Sequence, residues 1–218
     1  MADRWATFDC YGTLIDWEGG LRSAFGALWP GADAELLLRL HHTIEPLVEQ
    51  HGELSYREVL ARSLAALAAI EGLEIPAGRE EALAESLPSW PPFPEVPGAL
   101  KELRERGWGL AVLSNTDPDL LTASMNAIGV SFDAAITAPD AGSYKPAPGH
   151  WERFFGETGA PRDRHVHVGA SIFHDIEPAH RMGMRAIWIN RLGDSSEVPR
   201  AAELPDLGGL AAALEDLL

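Results

Sequence analysis

The sequence predicts a doubly wound parallel α/β sheet with a helical block inserted near its N-terminus. Three observations carry that prediction. Short apolar runs bounded by turns alternate with helical patterns through most of the chain, as strand–helix–strand units require. A stretch from Asp16 to about Trp90 breaks this alternation and reads mostly as helix. Polar residues stand at or just after the ends of successive predicted strands, the edge where open α/β sheets bind ligands.

The first strand is the run Trp5 to Phe8, which delivers Asp9 and then breaks into a turn at Gly12 and Thr13. In the helical block, LLLRLHHTIEPLVEQH and YREVLARSLAALAAIEGL carry apolar residues at three- and four-residue spacing. Ser55 with Glu58 has the form of a capping box opening the second of them. PSWPPFPEVPG, from Pro88 to Gly98, holds five prolines and cannot continue a helix; it reads as connector and return hinge. Beyond it, ALKELRERG is a helix stopped by Gly107, and GLAVLSN is a strand ending in Ser114 and Asn115. Asp117-Pro118 restarts a helix, as N-cap and first residue. FDAAITA is a strand, GSYKPAPG a loop, and a helix runs through Trp151 to Gly156. HVHVGA, IEPAHRMG and RAIWINR read as strand, helix and strand, and LAAALEDLL closes the chain as an amphipathic helix. The expected division is a core of residues 1–15 and 93–218 and a cap of residues 16–92.

A chain of 218 residues supports one large domain or a core with an insertion. Lys and Arg number 17 against 33 Asp and Glu, a formal net charge of −16, so no nucleic-acid partner is expected. No apolar run approaches the roughly 18 residues of a membrane span, and no apolar leader opens the chain. A membrane partner is therefore not expected either. Cys10 is the only cysteine, which excludes an intrachain disulfide and fits a cytoplasmic location. The acidic surface repels small anions, but screening beyond about 8 Å lets a local cationic pocket prevail.

Asp9, Ser114 with Asn115, Lys145 and Asp175 fall at strand ends that share one sheet edge, so they can converge. A carboxylate attacks only when ionised and aimed, and a neighbouring Lys lowers its pKa by about 1–3 units. Hydroxyl and amide donors orient an anionic substrate. Holding nucleophile and substrate in line removes about 7–11 kcal/mol of barrier. A carboxylate so placed is a candidate for covalent catalysis, in which an ester forms and water then hydrolyses it.

FDCYGTL, with Ser114, Lys145 and Asp175 following in order, resembles the haloacid dehalogenase superfamily. The resemblance implies a Rossmann-like core, a cap inserted after the first motif, and Asp9 as a covalent nucleophile with Lys145 and Asp175 as catalytic partners. Superfamily phosphatases carry an acid two residues after the nucleophile to protonate the leaving alkoxide. Here that residue is Tyr11, and a halide leaves without a proton. D-x-Y-G-T-L therefore looks like the type II 2-haloacid dehalogenases, and SYKP resembles their third motif. In them a cap arginine contacts substrate or halide, which implies Arg39 for that role, with Tyr11, Ser114, Asn115 and Ser171 as further substrate-binding residues. The resemblance implies no metal or other cofactor and a small anionic substrate, and it admits a homodimer.

The chain departs from the family's S-x-N-x-x-D motif, with Ala170 and Ile172 at the first two positions and Ser171 one place nearer Asp175. Trp151 stands where the family tends to have Tyr, so the hydrolytic water needs another holder, His174 or Asp175. Two alternatives stand beside the dehalogenase. One is a phosphatase with Mg²⁺ held by Asp9, the Tyr11 carbonyl and Asp175. The other is a protein of the same fold that binds without turnover. Cys10 reads as a small buried hydrophobe, turned away from Asp9. His165 and His167 share a strand face but lack a third zinc ligand. His41, His42 and Glu45 could reach into the cap pocket but read more readily as a solvated helix face, while Trp17, Phe25 and Trp29 are candidates to line an apolar pocket.

Overall fold

The computed structural model describes residues 2–50 and 54–218. Its six strands form one parallel sheet in the order β3-β2-β1-β4-β5-β6. They are β1 (Arg4–Phe8), β2 (Trp108–Ser114), β3 (Ala134–Thr137), β4 (His165–Gly169), β5 (Arg185–Ile189) and β6 (Ala202–Leu204). β1 lies between β2 and β4 in the middle of the sheet, and Trp5 to Phe8 are all buried. A central strand buried in this way shows no alternation with exposed polar residues, and Thr7 is the one polar member of the run. β6 has no counterpart among the expected strands. It is three residues long, only partly buried, and carries Glu203 in its middle, too short a pattern to register as a strand.

Between β1 and β2 the chain forms α1 (Trp17–Leu28), α2 (Ala34–Glu49), α3 (Tyr56–Glu71), α4 (Ala82–Ser86) and α5 (Val96–Glu105). Then follow α6 (Pro118–Ile128), α7 (Ala138–Ala141), α8 (Gly149–Thr158), α9 (Glu177–Arg181) and α10 (Leu210–Leu217). The capping box of α3 is formed, with the Ser55 N–H donating to Glu58 Oε2 at 2.9 Å. One apolar cluster runs from Phe8 in the sheet through Phe25 of α1 and Leu64 of α3 to Leu214 of α10. Helical block and sheet therefore share a core. No helix among the described residues is long and apolar enough to cross a membrane.

Asp117 corrects one expectation. It precedes α6, but its carboxylate does not cap that helix. It accepts instead from the Tyr56 N–H at 3.0 Å and the Arg57 N–H at 3.1 Å, the first amides of α3. Those amides have no carbonyl partner within α3, and a carboxylate at a helix N-terminus also meets a favourable dipole.

Candidate active site

The carboxyl ends of β1, β2 and β4 open onto a cavity of about 940 Å³. Asp9 follows β1, its backbone N–H donating to the Val168 carbonyl of β4 at 3.0 Å, and the chain turns at once. Gly12 makes that turn at φ +86°, a conformation side-chain-bearing residues rarely adopt. The turn brings Thr13 back over Asp9. Its hydroxyl donates to Asp9 Oδ2 at 2.8 Å and accepts from the Ala170 N–H at 2.9 Å.

Lys145 reaches in from the loop after α7, its side chain 1% exposed. Its ammonium donates to Asp9 Oδ1 at 2.8 Å and to Asp175 Oδ1 at 2.7 Å. Burial alone would lower the pKa of Lys145, but the two carboxylates outweigh it and hold it above the ordinary lysine value. Burial likewise works against ionised Asp175, yet Lys145 and His167 together keep that carboxyl well below the usual range. Asp9 is the exposed member of the three, with 13% of its side chain open. Desolvation raises its pKa, and the charge of Asp175 adds to the rise; Lys145 and Thr13 pull it back without cancelling it.

Several residues hold this arrangement in place. Asn115 spends its side-chain amide on the backbone of Lys145, donating to the carbonyl at 3.0 Å and accepting from the N–H at 2.6 Å. It therefore positions the lysine instead of presenting a free amide to substrate, contrary to expectation. Ser114 does offer a group: its hydroxyl is buried beside the cavity with no partner among the described residues. Ser171 lines the cavity, but its hydroxyl accepts from the His174 N–H at 3.1 Å and caps the turn leading to Asp175. Gly169, missed in the sequence, makes room for Asp175. A Cβ there would lie 2.5 Å from Asp175 Cβ and 2.6 Å from its Oδ2.

The cap wall differs most from expectation. Arg39 is exposed and does not line the cavity. It sits near Glu35 towards the start of α2, whereas the wall residues of that helix begin at His42 and continue with Glu45, Pro46 and Glu49. Nor is this a solvated helix face, since His41, Glu45 and Glu49 are all buried and only His42 is open. Glu45 accepts from the Tyr56 hydroxyl at 2.7 Å, and Tyr56 stacks on Tyr11 with ring centroids 6.3 Å apart. Burial, reinforced by the neighbouring charge of Glu49, pushes the Glu45 carboxyl up to about 8. Glu49 pairs with His174 Nε2 at 3.3 Å, an attraction that raises the histidine pKa against the opposing effect of burial.

Of the other arginines, Arg191 does line the cavity. It donates to the Thr13 carbonyl at 2.8 Å and to Glu95 at 2.7 Å, and lies over the Phe93 ring. Trp17 lines the cavity, while Phe25 and Trp29 belong to the core. Trp151 is buried behind the sheet edge against His167, so it holds no water in the cavity. For Mg²⁺, each oxygen of Asp9 and Asp175 already accepts a hydrogen bond, from Lys145, Thr13, His167 or the Ser171 N–H. Two of the four, Asp9 Oδ1 and Asp175 Oδ1, share the Lys145 ammonium, which sets the charge balance between the carboxylates without an ion.

These features agree with what the chain resembles. Residues 4–183 match the model of a hydrolase family, the haloacid dehalogenase-like hydrolases. The chain is 31% identical over 194 residues to the haloacetate dehalogenase H-2 of Moraxella sp. (strain B), covering 85% of each protein. It is 28% identical over 198 residues to the (S)-2-haloacid dehalogenase of Pseudomonas sp. (strain YL), covering 87% of this chain and 84% of that one. The crystal structure of the L-2-haloacid dehalogenase RSc1362 superposes with a TM-score of 0.88 at 26% identity, over 99% of this chain and 100% of that one. With a family model matched over most of its length and a relative 31% identical over 85% of each chain, the chain belongs to the haloacid dehalogenase-like hydrolase family.

Proposed function

We propose that this protein hydrolyses the carbon–halogen bond of a small 2-haloacid, with Asp9 as nucleophile and no metal. The observation that supports this most is the ion pair of Asp9 with Lys145, facing a cavity in which Tyr11 stands where a phosphatase would need an acid. Asp9 forms a bond to the carbon bearing the halogen as the carbon–halogen bond breaks, and the halide leaves with the bonding pair. In-line attack inverts that carbon. Water then adds to the carboxyl carbon of the Asp9 ester, releasing the 2-hydroxyacid and restoring the carboxylate.

Lys145 and the Thr13 hydroxyl lie where negative charge gathers on the Asp9 oxygens as water adds. The unpartnered Ser114 hydroxyl is the donor available to the substrate carboxylate. Burial and the charge of Glu49 push the Glu45 carboxyl up to about 8, which favours its protonated form near neutral pH, so the cap wall repels an anion less than its composition suggests. The test is halide release from haloacetates and 2-halopropionates. Asp9→Asn abolishes it, and a single turnover in ¹⁸O water places the label in Asp9. Label appearing directly in the product excludes the ester.

A further inference from the structure

Behind the nucleophile lies a polar line that the reaction above does not touch. Thr7 of β1 and His165 and His167 of β4 are fully buried, Thr7 standing opposite His167 in the sheet register. Thr7 Oγ1 is 2.8 Å from His165 Nε2 and 2.8 Å from His167 Nδ1. His167 Nε2 is 3.3 Å from Asp175 Oδ1, the same oxygen that receives the Lys145 ammonium.

With one ring hydrogen on each histidine, the hydrogens on this line have one favoured order. An ionised carboxylate only accepts, so His167 Nε2 carries a hydrogen towards Asp175. Thr7 has a single hydrogen, to be given either to His167 Nδ1 or to His165 Nε2. Giving it to His165 would move the ring hydrogen of a neutral His165 to Nδ1, which is buried without a partner. An unpaired buried donor costs about 1–3 kcal/mol. The favoured order is therefore His165 Nε2–H to Thr7, the Thr7 hydroxyl to His167 Nδ1, and His167 Nε2–H to Asp175. Burial keeps His165 neutral, with its pKa down at about 3.

We propose that Thr7 and His167 are positioning residues: their hydrogen-bonded line fixes the Asp175 carboxylate, and Asp175 in turn aims the Lys145 ammonium at Asp9. This rests on Asp9 being the nucleophile. Asp175 is gripped from three sides, by His167 and Lys145 on Oδ1 and by the Ser171 N–H at 3.2 Å on Oδ2. With the histidine contact loosened, the carboxylate can rotate and carry Lys145 Nζ with it. Neither Thr7 nor His167 lines the cavity, so their loss changes the chemical step and spares binding.

Thr7→Val removes the hydroxyl at nearly constant shape, and Thr7→Ser keeps it. With a haloacid substrate, Thr7→Val is expected to lower kcat by about 10- to 100-fold, KM holding within about twofold, while Thr7→Ser stays near wild type. Equal kcat in Thr7→Val and wild type, or equal losses in the Ser and Val variants, overturns the positioning role. A second readout needs no turnover. In ¹⁵N-histidine spectra of the wild type, His165 and His167 are both expected as Nε2–H tautomers, with His165 perturbed in Thr7→Val. An Nδ1–H tautomer at either residue overturns the assignment. Failure of the wild type to release halide from any haloacid instead defeats the dehalogenase reading, and the positioning role falls with it.

Discussion

Replacing Lys145 by Met gives the most direct measure of how the site is held together. The variant keeps an unbranched chain of similar length but leaves Asp9 and Asp175 with no cation between them. Both carboxylates contact Lys145, at 2.8 and 2.7 Å, and the lysine side chain is 1% exposed. Removing one partner of a buried pair costs about 3–5 kcal/mol. At about 2–4 °C per kcal/mol for a chain of this size, Tm should fall by roughly 6–20 °C.

The loss should also depend on pH. In the wild type, Asp175 has a lowered pKa, so its stabilising contribution is present above the unfolded value of about 3.9 and is lost as pH falls through the folded one. Lys145 has a raised pKa, so its contribution is fully present below about 10.4 and fades only above that. The wild-type pair is thus intact between those limits. In Lys145→Met, the two facing carboxyls gain from taking up a proton, so the variant recovers stability as pH falls. Circular-dichroism melts at pH 5 and pH 8 should show the larger deficit at pH 8, with halide release abolished at both. An equal deficit at the two pH values, or none, would show that the ammonium does not hold these carboxylates apart.

Other changes probe separate parts of the site. Gly169→Ala puts a methyl group where Asp175 packs, at 2.5 Å from its Cβ, and should cut turnover by about 100-fold; wild-type turnover would mean the carboxylate can shift freely. Glu45 has a folded pKa raised to about 8, so the native state holds an extra proton and stability falls as pH rises between about 4.3 and 8. Glu45→Gln cannot ionise, and its melting advantage should grow by up to about 1.4 kcal/mol per pH unit over that range and then level off; a constant gap would contradict the burial argument. Arg39→Ala should leave kcat and KM for haloacetates unchanged, because the side chain stands outside the cavity; a large rise in KM would restore it as a substrate contact.

The sheet was legible because parallel strands buried on both faces leave mainly apolar runs, unbroken from Leu110 to Leu113 and interrupted only by Thr7 from Trp5 to Phe8. Their order along the chain also placed Asp9, Lys145 and Asp175 on one edge. What the pattern could not carry was rotation and register. Arg39 and His42 lie three residues apart on α2, and which of them faces the cavity depends on how the helix docks. Asn115 and Ser114 were equally plausible donors until the loop carrying Lys145 folded against Asn115 and used up its amide. His165 and His167 visibly shared a face, but that Thr7 stands between them is a cross-strand fact with no local signal. Gly169 looked like any small residue at a strand end, and its need comes from a side chain six positions later.

Asp117 bears on how the two parts of this molecule can be exchanged. The third helix of the inserted block begins on a carboxylate supplied by the sheet, so the block is not a self-contained module. Transplanting residues 16–92 onto another scaffold would strip two amides of their acceptor, an expected loss of about 0.5–2 kcal/mol at that end. A working chimera would have to bring the capping acceptor, Asp117, along with the helices it serves.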